Sequence, residues 1–278
     1  MKNRLKMTWT AMQMERREHK SSFWVYLILR AMVVVVMILQ FLNRNYENVF
    51  FCLLTLFLLI VPSFIQVEFK IEIPTTLEII ILLFIFAAEI LGEIHAFYVK
   101  IPLWDTLLHT MNGFLAAAIG FSLVDILNRN KRLEFNLSPL FMVLVAFCFS
   151  MTIGVIWEFF EFFMDSCFNM DMQKDTVIHA IHSVMLDPSM SNRVYSISSI
   201  NEVFINGNAL PVNGYIDIGL IDTMMDLIVN FVGAFIFSVF GFFYLKKRGK
   251  GTFVKRFIPR IKDKSKDYLL KLRKEAEK

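Results

Sequence analysis

The chain has 278 residues, of which 56% are hydrophobic and 30 are Phe, with mean hydropathy +0.54. A soluble fold of this length has no place for so much apolar surface, because its exterior must face water. The formal charge of +4 offers nucleic acid no surface beyond a basic tail, and three single cysteines (Cys52, Cys148, Cys167) with no CxxC pair indicate neither a disulfide framework nor a zinc finger.

A basic segment, residues 1–22, opens the chain. Six apolar stretches follow, each near the ~20 residues that a helix needs to cross a bilayer. They are Phe23 to Leu42, Val49 to Val67, Leu77 to Tyr98, Asp105 to Leu127, Pro139 to Phe168 and Ile221 to Leu245. The expected fold class is all-α, a polytopic membrane helix bundle of about six spans. Its membrane domain covers residues 23–245, with a small extracytoplasmic cap at 168–220 between spans five and six. Residues 246–278 form a basic tail, expected to be a solvated helix that anchors topology. The first stretch exceeds the core of a cleaved signal, and Asn43-Arg44-Asn45 is no small-residue cleavage site. The fifth is long enough to tilt or project from the bilayer. Arg30, in span one, can snorkel toward the cytoplasm or pair with another span.

Short loops rich in Lys and Arg stay in the cytoplasm. The first 22 residues carry Lys2, Arg4, Lys6, Arg16, Arg17 and Lys20. The connection after span four carries Arg129, Lys131 and Arg132, and the tail carries fourteen basic residues against four acids. The connections after spans one, three and five hold only Arg44, Lys100, Lys174 and Arg193. Both termini are therefore expected in the cytoplasm. The tail should be drawn to anionic lipid, at roughly 1 kcal/mol per basic residue.

Ionisable groups inside spans are costly, so each is a functional candidate. Span three ends with Glu89, Glu93 and His95, and span four begins with Asp105, His109 and Asn112. Span five ends with Glu158, Glu161 and Asp165, and span six begins with Asp222, Asp226 and Asn230. With both termini inside, all of these lie near the outer ends of their helices, within roughly 15 Å at ~1.5 Å per residue. The spacings fit single helix faces: Asp105 with His109, Glu89 with Glu93 and Asp222 with Asp226 are four apart, and Glu158, Glu161 and Asp165 follow i, i+3, i+7. Phe159, Phe160, Phe162 and Phe163 are left to face lipid. His95, close to the surface, is more simply a polar surface residue.

So many carboxylates cannot all be charged and dry together. They share protons, hold cations, open to water, or knit helices by hydrogen bonds. Oxygen-rich ligands suit Mg²⁺, Mn²⁺ or Ca²⁺, and His109 would admit Zn²⁺ or Fe²⁺. As an enzyme the chain would use His109, Asp105 and Glu158 first, with Asp105, His109, Glu158, Glu161, Asp222 and Asp226 as metal candidates. Glu89, Glu93, Asp165, Gln173 and Asn230 complete the polar set. No nucleophile elbow, His-Glu-xx-His motif or P-loop is present.

The Glu-bearing spans three and five each precede a span opening on Asp-Thr (Asp105-Thr106, Asp222-Thr223), the pattern of a parallel repeat. Gly113, Gly120, Gly233 and Gly241 would let backbones approach closely. In the long connection before span six, Val177 to Leu186 has the pattern of a short amphipathic helix ended by Pro188. On such a helix Asp175, His179 and His182 would share a face, a weak metal-ligand spacing for which ordinary solvent-facing polar residues are the simpler account. Ile205-Asn206-Gly207-Asn208 signals a hairpin turn, and Asn213-Gly214-Tyr215 leads into the last span.

At Trp104-Asp105-xxx-His109-xxx-Gly113, Trp157-Glu158-Phe-Phe-Glu161, Met172-Gln173 and Asp222-Thr223-Met224-xx-Asp226-xxxxxx-Gly233-Ala234, the chain resembles the YjdF-like family of bacterial membrane proteins over roughly residues 77–245. More distantly it is similar to the VanZ-like group, linked with glycopeptide-antibiotic tolerance and envelope phenotypes. The resemblance marks Asp105, His109, Glu158, Glu161, Gln173, Asp222 and Asp226 as a polar signature and implies a bacterial inner membrane and an envelope role, but no reaction. Roughly 48 residues separate Gln173 from Asp222, so the cap is an insertion by that comparison.

Three functions stay open. The first is a site for a divalent metal or a polar envelope or lipid-linked ligand near the outer leaflet. The second is a proton- or ion-coupled transporter, disfavoured by the apolar inner halves of the spans. The third is a structural or regulatory partner of other membrane proteins.

Overall fold

The computed structural model describes residues 2–128, 136–247 and 253–276. The basic connection expected at Arg129, Lys131 and Arg132 lies outside the described residues, as do Arg248, Lys250 and Lys278 of the tail. Among the described residues ten α-helices run in chain order: α1 (Lys2–Glu18), α2 (Lys20–Leu42), α3 (Tyr46–Leu58), α4 (Val61–Glu68), α5 (Thr75–Phe86), α6 (Phe97–Lys100), α7 (Trp104–Asn128), α8 (Pro139–Phe168), α9 (Leu220–Lys246) and α10 (Tyr268–Ala276). The protein is an all-α polytopic membrane bundle. Among the described residues five stretches are long and apolar enough to cross a bilayer: Lys20–Leu42, Tyr46–Glu68, Trp104–Asn128, Pro139–Phe168 and Leu220–Lys246.

Two spans are broken. A turn at Leu59 and Ile60 separates α3 from α4, whose first turn holds Pro62. Proline lacks the N–H that would continue the upstream helix, and its ring crowds the preceding turn. The stretch read as span three is not one α-helix. The 12 residues of α5 pass into an 8-residue π-helical segment, Ala87–Ile94, which ends before Ala96 at φ 56°. Glu89 and Glu93 stand on that segment, Glu93 exposed, whereas Glu158 and Glu161 stand on an unbroken α-helix. The parallel between the two pairs is thus one of residue type, not of backbone.

The chain divides into two compact units. The first comprises Met1–Thr152 and Val229–Lys278. Its core gathers Leu77, Leu115, Phe121, Val143, Ala234 and Phe237, with Phe114 set edge-on to Phe237. A second cluster joins Tyr26, Leu29 and Val33 to Leu82, Phe86 and Ile90. Within this unit α7 and α9 cross at reciprocal glycines. A Cβ on Gly113 would lie 2.0 Å from the Asn230 carbonyl oxygen, and one on Gly233 would lie 1.9 Å from that of Thr110. Such backbone contact is open only to glycine, and it brings the dispersion and polar groups of both helices into reach without help from water. Arg30 pairs within its own helix, donating to the Tyr26 hydroxyl at 2.6 Å.

The tail is not the free solvated helix expected. Arg260–Ile261 pairs antiparallel with Ile71–Glu72, and α10 packs on α1 through Leu269, Ala11 and Met12. Lys262 is buried, with Nζ 2.5 Å from Glu15 Oε2 and donating to the Gln66 carbonyl at 3.2 Å. Burial pushes the Glu15 carboxyl up, against the pull of Lys262. The Tyr268 hydroxyl donates to Glu18, holding that carboxyl below its ordinary range while its own pKa rises to about 12. Lys266 bridges Glu18 and Glu72 at 3.3 and 3.2 Å. Charge that looked free in the sequence is partly consumed in folding the tail.

The second unit, Ile153–Ile228, holds the long connection that precedes α9. Val177 to Leu186 is not a helix. Val177–Ile178 pairs with Tyr215–Ile216, Ala180–Ser183 pairs with Tyr195–Ser198, and only Val184–Leu186 turns, as a single 3₁₀ turn. Val177, Ile178 and Ile181 are β-branched and favour the pleated backbone once a partner strand is supplied. Asp175, His179 and His182 therefore do not share a helical face. His179 Nδ1 lies 3.0 Å from the Ile200 carbonyl, and His182 Nδ1 lies 2.7 Å from Ser196 Oγ. The expected hairpin forms between Phe204–Ile205 and Asn208–Ala209, with positive φ at Asn206 and Gly207 as a two-residue turn requires. Upstream, Asp187 closes the loop between Leu186 and Tyr195, accepting from the backbone and hydroxyls of Ser189 and Ser191.

Candidate metal centre

Glu158 and Glu161 are three apart on α8, so both project from one face, while Phe159, Phe160, Phe162 and Phe163 are exposed on the others. Asp226 lies two turns into α9. All three acids are buried. One carboxylate oxygen from each lies within 4.8 Å of the other two, the separation of ligands around a single ion. Trp157 Nε1 donates to Glu161 Oε1 at 2.8 Å and holds that carboxylate in place. Tryptophan four residues before glutamate was the signal for this contact, though sequence analysis left Trp157 without a role.

Buried like charges repel strongly in a low dielectric, and a shared proton or a bound cation relieves that repulsion. The donors are all oxygen, the set that Mg²⁺, Mn²⁺ and Ca²⁺ prefer.

Asp165, Asp222 and Asp217, in the same unit, meet backbone. Asp165 accepts from the amides of Met172 and Gln173 at 2.6 and 2.8 Å. Asp222 accepts from the Lys174 amide at 2.7 Å, and Gln173 Nε2 donates to Thr223 Oγ1 at 2.5 Å. Asp217, which sequence analysis missed, accepts from Thr176, Gly219 and Ile221 amides at 2.7, 3.3 and 2.8 Å. An aspartate just ahead of a glycine and an apolar run is the sequence cue for such a helix start. Together these contacts tie residues 172–176 to the end of α8 and the start of α9, and so set the register that brings Asp226 to Glu158 and Glu161.

In the first unit, His109 Nε2 lies 3.4 Å from Asp105 Oδ1, the i, i+4 pair expected on α7. His109 is buried and Asp105 half-buried. Where α7, α8 and α9 meet in this unit, Asn112, Ser150 and Asn230 form a neutral polar set. Asn112 Nδ2 donates to Asn230 Oδ1 at 3.2 Å, Asn230 Nδ2 to the Ser150 carbonyl at 3.4 Å, and Ser150 Oγ to the Gly113 carbonyl at 2.7 Å. Ser150 gave no signal in the sequence, since a lone serine inside an apolar span most often bonds its own helix. His95 is exposed.

A family model described as "Predicted membrane protein (DUF2238)" matches residues 24–247. A protein of Thermotoga maritima, described as "Uncharacterized protein", is 29% identical over 128 residues. That alignment covers 45% of this chain and 64% of the relative's length. No solved structure matches the chain.

Proposed function

The chain belongs to the predicted membrane protein family DUF2238, and from that premise we propose that it is a membrane protein whose working centre binds one divalent cation through Glu158, Glu161 and Asp226. The observation that carries this is the convergence of three buried carboxylates within 4.8 Å. A hard cation such as Mg²⁺, Mn²⁺ or Ca²⁺ would offset their charge and leave coordination positions for oxygen atoms of a ligand. The likeness to YjdF-like and VanZ-like proteins favours a polar envelope or lipid-linked ligand.

The charge pattern supports a multi-pass arrangement in the bacterial inner membrane with both termini cytoplasmic. Basic segments 1–22 and 246–278 then flank a membrane domain, 23–245, whose cap at 168–220 faces outward, and the carboxylates sit toward the outer leaflet.

The test is elemental analysis of protein purified without chelator, followed by thermal unfolding with and without EDTA. About one divalent ion per chain is expected, lost in Glu158→Gln and Glu161→Gln. A metal-free protein whose unfolding ignores both EDTA and added Mn²⁺ would overturn the proposal and leave proton sharing as the means of offsetting the charge.

A further inference from the structure

Helix α1 is amphipathic in an unusual sense: both of its faces carry apolar residues. Thr8, Ala11, Met12 and Glu15 are buried against the first unit. At ~100° per residue, Leu5, Lys6, Trp9, Gln13, Met14 and Arg17 occupy the opposite arc. Leu5 is 65% exposed, Trp9 45% and Met14 39%. Lys6 and Arg17 are exposed between them.

The charge on this arc is of one sign. The acids of α1, Glu15 and Glu18, lie on the other side of the helix. There Glu15 is buried on Lys262, and Glu18 is held by Tyr268 and Lys266. The acids are thus taken up by the folded tail, and the outer arc carries only cations.

The helix also adjoins two stretches of span length. Only His19 separates it from α2, an apolar stretch of span length. It packs against α4, the end of the second span, through Val67. Trp9 is linked to the first span by stacking: the Arg16 guanidinium lies 5.5 Å from the Trp9 ring and 4.8 Å from the Tyr26 ring. Exposed Leu, Trp and Met interleaved with Lys and Arg, beside spanning helices, match a surface that inserts shallowly among acyl chains and pairs its cations with lipid phosphates.

We propose that the outer arc of α1 is a docking surface for anionic phospholipid, with Leu5 and Trp9 seated at the headgroup boundary and Lys6 and Arg17 on the phosphates. This moves the lipid contact expected of the tail onto the opposite end of the chain. It lies before residue 24, outside the family match, and does not depend on the carboxylate site. Exposed Lys271 and Lys274 of α10 provide the contrast, because no large apolar residue of that helix is exposed beside them.

Full-length protein in nanodiscs of phosphatidylglycerol and phosphatidylcholine gives the test. Native mass spectrometry counts retained lipids for wild type, Lys6→Gln/Arg17→Gln and Lys271→Gln/Lys274→Gln. The α1 variant is expected to lose preference for phosphatidylglycerol by about fivefold for each charge removed, with the α10 variant near wild type. Brominated phosphatidylglycerol should quench a share of tryptophan emission that is missing in Trp9→Phe, a conservative change at an exposed site. Unchanged preference in the α1 variant, an equal loss in the α10 variant, or equal quenching of wild type and Trp9→Phe would each overturn the proposal.

Discussion

In the first unit Asn112, Ser150 and Asn230 meet between α7, α8 and α9 as neutral groups that find donors and acceptors among one another. In the second, Glu158, Glu161 and Asp226 bring three acids within 4.8 Å. The neutral set is joined by hydrogen bonds between protein groups and acts as glue between helices. The acidic set gathers like charges, whose repulsion a shared proton or a cation relieves. Polarity between membrane helices is therefore not by itself a mark of function. The sign and sum of the charge distinguish the two sets.

The sharpest way to break the comparison is to part the helices of the neutral joint. Gly233→Val places Cβ atoms where the Thr110 carbonyl stands, 1.9 Å away, and should cost about 3 kcal/mol, read by denaturant unfolding in micelles. Wild-type stability in that variant would show that the close crossing is not needed. At the acidic site, a hundredfold excess of Mn²⁺ over its Kd should stabilise wild type by about 2.7 kcal/mol and Glu158→Gln by far less. In EDTA the order should reverse, because the variant crowds one charge fewer. A variant less stable than wild type in EDTA would make Glu158 a structural acid.

Asp165→Ala removes the acceptor of two amides and should cost about 2 kcal/mol while leaving the bound-metal stoichiometry intact. Metal lost along with stability would place Asp165 inside the site. The smallest effect belongs to Ser150→Ala, about 0.6 kcal/mol, the usual worth of one interhelical hydrogen bond in a membrane. A loss several times larger would mean that the neutral network is strongly cooperative.

Much of the fold was legible. Five of the six spans read from hydropathy match helical stretches to within about three residues at their ends, because desolvation of apolar side chains adds up locally along the chain; the third, Leu77 to Tyr98, does not. The glycines at 113 and 233 were legible as small residues, but not as partners. The π-helical run at Ala87–Ile94 left no compositional trace. Val177 to Leu186 read as a helix because its apolar spacing fits two periods over so short a run, and the partner strands at 195–198 and 215–216 decided between them. The tail read as solvated because Lys262 declares its charge in the sequence, whereas Glu15, which buries it, lies far upstream.

The sequence by itself determined that this is a membrane protein of the all-α class and which acids stand near helix ends. Those are sums over neighbouring residues. Only the tertiary structure decided that Glu158, Glu161 and Asp226 converge while Asp165 and Asp222 meet backbone amides. That choice depends on how α8 and α9 are rotated, and the rotation is set by residues 172–176 and Asp217 pinning the helix ends, contacts that no local spacing encodes.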